Sequence, residues 1–216
     1  CPIPENGSAA ERQAAACACQ GGAALEQQAW NRIYQKVDFL FVVSNTAGMA
    51  AKQQALVAAY APILAYLTAS DFDYHIGVVS SDVGTWTAPD TPFATSTGAC
   101  DSFAGDDGRL QTRSCRDRPG LSPEARAACA AVCPDSRFLP TDGRPYLSRE
   151  RGRTNVPQAL ELDPKTGLLI DRGPEYALGC MLVLGDAGCA VSAPLESARR
   201  ALDGHIPEND DLLRLD

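Results

Sequence analysis

The chain is short of almost everything that common catalytic sites are built from. It has two histidines, His75 and His205, and neither lies in a motif. Ser44, Ser80 and Ser81 close apolar runs, but none sits in the Gly-x-Ser-x-Gly frame of a nucleophile elbow. Neither common glycine-rich phosphate loop is present, and there is no Cys-x-x-Cys-His for covalent haem. These absences argue against an enzyme, with a hydrolase the last class to be given up. Basic charge is short as well. Lys and Arg number 19 against 27 Asp and Glu, a net charge of −8 at pH 7. That balance excludes a nucleic-acid surface, although residues 109–118 are locally rich in arginine. No apolar run approaches the roughly eighteen residues of a membrane-crossing helix.

Cysteine is plentiful by contrast. Nine in 216 residues point to a disulfide framework and an oxidising, extracytoplasmic compartment. The sequence opens on Cys1. A mature bacterial lipoprotein begins with such a cysteine, its sulfur carrying a diacylglycerol. Lipid on Cys1 is therefore expected, the alternative being that a fragment merely starts there. Eight cysteines then remain to pair: Cys17, Cys19, Cys100, Cys115, Cys129, Cys133, Cys180 and Cys189. Cys17 and Cys19 are too close in sequence to bond one another comfortably.

In order along the chain, residues 1–36 read as a proline-bearing tether followed by helical segments at Ala9–Ala18 and Ala23–Lys36. Residues 37–216 read as one domain. Val37–Val43 is a near-continuous apolar run, which fits a strand covered on both faces. Met49–Leu67 predicts an amphipathic helix with Met49, Leu56, Tyr60, Ile63 and Leu67 inward, a gap at Gln53, and Pro62 inside it. Ser70-Asp71 ends that helix. Phe72–Val79 predicts a second strand, parallel to the first, with His75 facing solvent or a helix edge. From about residue 80 to 179, Gly, Pro, Asp, Ser and Arg dominate. A bare loop of that length is unusual, so the stretch reads as a cysteine-rich insertion with small strands. Pro123–Cys133 is its best helix, with Ser122 as N-cap; Cys129 and Cys133 then share a face and bond different partners. Ser192 and Pro194 start a last helix with Leu195, Ala198 and Leu202 inward, and Gly204 ends it.

The run Val-Asp-Phe-Leu-Phe-Val-Val at 37–43, continuing as Ser44-Asn45-Thr46-Ala47-Gly48-Met49, resembles the opening of a von Willebrand factor A domain. The likeness is to a bacterial cell-envelope branch of that family, whose strand runs into Asp-x-Ser-x-Ser. Gly105-Asp106-Asp107-Gly108 and the patch Cys180–Cys189 resemble further features of that branch. The resemblance implies a doubly wound α/β fold with a mainly parallel sheet. It also implies a site where loops from three strands hold Mg²⁺ and a partner protein completes the coordination. Three positions depart from the pattern. Ser44 stands for the metal-proximal Asp, Gly48 for the second serine, and Asp186 for a threonine. The family's next strand, ending in a third metal-site Asp, has no counterpart before Asp216, so the sheet is expected to be incomplete.

A neutral hydroxyl is a poor replacement for a carboxylate on a hard cation. No metal or other cofactor is therefore expected, with Mg²⁺ possible only if Asp186 rescues the site. The expected function is a non-catalytic, envelope-anchored protein-binding module, in the periplasm or at the outer membrane. Its candidate partner face is Ser44, Thr46, Gly48, Ser80, Ser81, Asp82 and Asp186. The alternative is a scaffold subunit of a larger envelope assembly. Cys180 and Cys189 are the cysteines nearest one another in the family-like patch.

Overall fold

The structure, a computed structural model, describes residues 35–84, 105–189 and 191–214. Expectations for Cys1, Cys17, Cys19, Cys100 and the N-terminal helical segments lie outside the described residues, except that Lys36 opens a strand.

The two apolar runs form strands β1 (Lys36–Val43) and β2 (Asp73–Ser80). They pair in parallel, in register from Lys36 opposite Asp73 to Val43 opposite Ser80. The chain between them forms helix α1 (Ala50–Ala69). The sheet then grows from the cysteine-rich stretch. Strand β3 (Leu147–Glu150) lies antiparallel on β2, and β4 (Arg153–Thr154) antiparallel on β3. The fold is thus mixed α/β: the expected parallel pair is present, and the rest of this sheet is antiparallel. A separate hairpin joins β5 (Leu160–Leu162) to β6 (Leu169–Asp171).

Both faces of the β1–β2 pair are covered. Strand side chains alternate across a sheet, so Phe39, Phe41, Val43, Tyr74, Ile76 and Val78 go to one core. Leu40, Val42 and Val79 go to the other, with Leu110, Tyr146, Ala201 and Leu212. On the first face lie α1, α2 (Pro123–Val132) and α3 (Gly173–Leu182). On the second lie α4 (Pro194–Leu202) and the segment that buries Leu212. Each fully buried side chain of this size contributes roughly 1.5–3 kcal/mol. No described helix is long and apolar enough to cross a membrane.

Several faces differ from the sequence reading. The buried stripe of α1 is Ala50, Gln53, Val57, Tyr60, Leu64 and Leu67, so Tyr60 and Leu67 face inward as expected while Ile63 is 46% exposed. Leu56 packs at the margin. The helix runs through Pro62, which lies on the exposed side, where water can serve the carbonyl that a proline leaves without a donor. In α4 the buried residues are Ser197 and Ala201, while Leu195 is 86% exposed and Leu202 is exposed too. Small side chains face the sheet there because α4 lies close over it: the hydroxyl of Ser197 donates to the carbonyl of Ser80 at 2.5 Å. Pro194 opens α4, but the residue before it is Ala193 and no side chain caps it. Helix α2 matches its expectation, with the hydroxyl of Ser122 accepting from the amide of Ala125 at 3.1 Å.

Helix α3 has no counterpart in the sequence reading. Its Gly179 faces α2 so closely that a Cβ would come 2.3 Å from the carbonyl oxygen of Val132. Two disulfides hold this region, Cys115–Cys129 and Cys133–Cys180. Cys129 and Cys133 thus have different partners, as expected. Cys180 bonds Cys133 and not its neighbour in the family-like patch, Cys189, which is itself disulfide-bonded. The helix α3 turns Cys180 toward α2, which is why sequence proximity misleads here.

Candidate functional site

Three loops meet beyond the carboxyl ends of β1 and β2, where open α/β sheets place their ligands. The first, Ser44–Gly48, links β1 to α1. Gly48 takes a φ of +79°, a backbone state that favours glycine, and the amide of Met49 closes the turn on the carbonyl of Thr46 at 3.2 Å. The hydroxyls of Ser44 and Thr46 are hydrogen-bonded to each other at 3.1 Å. The second loop, Ser80–Asp82, continues β2. The third, Val183–Cys189, follows α3.

Protein groups tie these loops together. Gln53, in the first turn of α1, is 1% exposed. Its amide nitrogen donates to the carbonyl of Ser44 at 2.6 Å and of Gly185 at 2.8 Å. Its amide oxygen accepts from the Gly185 amide at 3.1 Å. The amide of Gly188 donates to the carbonyl of Asn45 at 2.8 Å. Asp82 joins the second loop to the third. One carboxylate oxygen accepts from the Gly84 amide at 2.9 Å and the other from the Cys189 amide at 3.0 Å. The carbonyl of Asp82 accepts from the amides of Asp106 and Asp107, so the acidic turn at 105–108 is pinned beneath it. Gly105 there allows no side chain, since a Cβ would lie 2.2 Å from the Gly84 nitrogen.

The expected site residues are therefore divided. Ser44 and Thr46 adjoin and are half-buried, and Gly48 is exposed beside Ala47. Ser80, Ser81 and Asp82 are buried, so their side chains build the platform and do not meet solvent. Asp186 turns away to the cysteine-rich region, where its carboxylate accepts from the Ser122 amide at 3.3 Å. Two buried oxygens, Asn45 Oδ1 and Ser81 Oγ, have no partner. As a donor set this suits a hard divalent cation badly. The first loop offers two hydroxyls already bonded to each other, and the carboxylates of Asp82 and Asp186 are engaged by backbone N–H groups. Among the described residues, one group of three acidic, histidine or cysteine side chains converges closely enough for a metal: Cys115, Cys129 and Cys133. All three sulfurs are in disulfides, so no thiolate is present to bind one.

Gln53 and Asn45 escaped the sequence reading. Gln53 was visible as the one polar residue interrupting the α1 stripe.

His75 corrects another expectation. It does not face solvent but is buried on the second sheet face, against the ring of Tyr146. Its Nδ1 lies 3.0 Å from the carbonyl oxygen of Leu212 and 3.1 Å from that of Asp211, and its Nε2 lies 3.1 Å from a Glu150 carboxylate oxygen. Arg144 pairs with Glu150 and, by its hydrogen bond, holds that carboxyl below its ordinary range. The cluster ties the segment around Leu212 to β3.

No family model, curated protein or solved structure matches the chain.

Proposed function

We propose that the chain carries a von Willebrand factor A-like domain that works as a non-catalytic protein-binding module of a bacterial cell envelope. The observation that carries this reading is the loop cluster. Thr46, Ala47, Gly48 and Ala187 form its solvent-facing rim, while Gln53 and Asp82 hold its base rigid. A rim fixed in advance lowers the ordering cost of binding a partner. Partner binding is metal-independent, because the Ser44 and Thr46 hydroxyls and the Asp82 and Asp186 carboxylates are already hydrogen-bonded within the protein. An extracytoplasmic location completes the proposal, supported by the disulfides, which persist in oxidising compartments.

The scaffold reading stands second. Its support is that Ser80, Ser81 and Asp82 serve internal contacts.

The test is a photo-crosslinking amino acid placed at Ala47 in the native host, with Lys165 on the β5–β6 turn as the exposed control. A discrete adduct from Ala47 and none of the same mass from Lys165 is the expected result. No discrete adduct from Ala47 contradicts the binding reading and favours the scaffold.

A further inference from the structure

The arginine-rich stretch noted in the sequence is not absorbed by the loop cluster. A cavity of about 220 Å³ opens over the Cys115–Cys129 disulfide, lined by Arg116, Arg118, Arg126 and Leu121. The disulfide itself sets the arginines around the cavity. Arg116 adjoins Cys115, and Arg126 lies one helical turn before Cys129 on α2. Arg116 is anchored through its Nε, which donates to the carbonyl of Cys133 at 2.5 Å, leaving its terminal nitrogens available. One terminal nitrogen of Arg118 donates to Gln111 Oε1 at 3.0 Å and to the carbonyl of Arg113 at 3.3 Å. Its Nε is buried with no partner.

Charge makes this arrangement unusual for the molecule. Eight other arginines, at 109, 137, 144, 149, 172, 199, 200 and 214, pair with carboxylates. Among the described residues, Arg113, Arg116, Arg118, Arg126, Arg151 and Arg153 pair with none, and three of these line this one cavity. Burial pushes the Arg118 guanidinium down from its ordinary range, with Asp106 opposing and Arg113 adding to the effect. Three cations around one concavity, none of them in an ion pair, make a locally positive site in a chain of net charge −8. Planar guanidinium groups match oxyanions bidentately. The cavity falls below the roughly 300–1,000 Å³ of pockets for drug-sized ligands. It suits a single small anionic group, and a dianion balances three cations better than a carboxylate does.

We infer that this cavity is a phosphoryl-binding site, in which Arg116, Arg118 and Arg126 hold one phosphate-type dianion above the Cys115–Cys129 disulfide. The inference is independent of the protein-binding reading. The group has two possible sources, free in solution or on a lipid headgroup, and the chemistry at the three arginines is the same.

The test uses the full chain at low salt, where screening is weak. Calorimetric titration with inorganic phosphate forms one arm, and co-sedimentation with phosphatidylcholine vesicles, plain or doped with phosphatidic acid, forms the other. The expected result is saturable binding in at least one arm, weakened roughly tenfold or more by Arg126→Gln, which loses a charge-assisted contact. Arg153→Gln, an exposed arginine on β4, is expected to bind as wild type. Binding in solution identifies a free phosphoryl ligand. Binding only to doped vesicles, with the same dependence on Arg126, identifies a headgroup. Arg126 is exposed on α2, so its variant tests the site even if Arg118→Gln fails to fold. Absence of saturable binding in both arms, or binding unchanged by Arg126→Gln, overturns the inference.

Discussion

Replacing Gln53 with leucine removes the cross-link between two loops while keeping side-chain size and helix propensity. Three backbone groups lose their partner: the carbonyl of Ser44 and both the carbonyl and the amide of Gly185. The two Gly185 bonds are buried, and the bond to Ser44 is partly so. An unsatisfied buried group costs about 1–3 kcal/mol, and one that water can reach costs less. The sum is about 3–5 kcal/mol, a large part of the 5–15 kcal/mol typical of a domain. With a urea slope of about 2 kcal/mol/M, the midpoint should fall by roughly 2 M at unchanged slope. Lys52→Ala, exposed on the same helix, should move stability by no more than about 0.5 kcal/mol. Gln53→Glu should be at least as damaging as leucine, because it keeps the acceptor for Gly185 but loses both donated bonds and buries a charge. A loss below about 1 kcal/mol in Gln53→Leu would mean that something other than this side chain holds the loops.

Other outcomes follow from the same structure. Replacing Cys133 and Cys180 by alanine should cost about 4 kcal/mol, against about 3 kcal/mol for Cys115 and Cys129, since the bridged separations are 47 and 14 residues; chemical denaturation of the two variants should preserve that order. Asp38→Ala leaves Arg214, the partner of a largely buried ion pair, with an unmatched charge, and should cost about 3 kcal/mol in the same assay. Hydrogen bonds from Arg199 and then Arg200 pull the Glu196 carboxyl down from 4.5 to about 2. Its stabilising contribution is therefore complete above pH 4.5 and lost as pH falls toward 2, so Glu196→Gln should flatten that part of the acid limb, and high salt should do the same.

What the sequence disclosed was the parallel pair β1–β2, because Val37–Val43 and Phe72–Val79 are apolar enough to be covered twice. The span of α1 was legible too, but its face was not. Gln53 breaks the apolar period, so the sequence points to Leu56 and Ile63 where the structure buries Val57 and Leu64. In α4 the close approach to the sheet selects Ser197 and Ala201, and hydropathy alone points to Leu195. The burial of His75 is not legible locally, because partners distant in sequence, Glu150 and the backbone at 211–212, satisfy its ring only once β3 has joined the sheet. The family-like loop lies where three loops meet, yet nothing local to Ser80–Asp82 tells that these side chains are buried. Asp186 was legible as a carboxylate but not as a partner of Ser122, more than sixty residues earlier, which only the packing of α2 brings near.

Protein hydrogen bonds tie the three loops together, and on the proposed reading they leave a rim that binds its partner without a cation. Titration of the full chain with Mn²⁺, read as paramagnetic broadening of the Asn45–Gly48 amide signals, addresses that reading most directly. No saturable broadening is expected at these amides, and the Ala47 crosslink is expected to be the same with and without a chelator. Saturable broadening centred on Thr46, together with loss of the crosslink in chelator, would contradict that reading and restore cation-dependent adhesion.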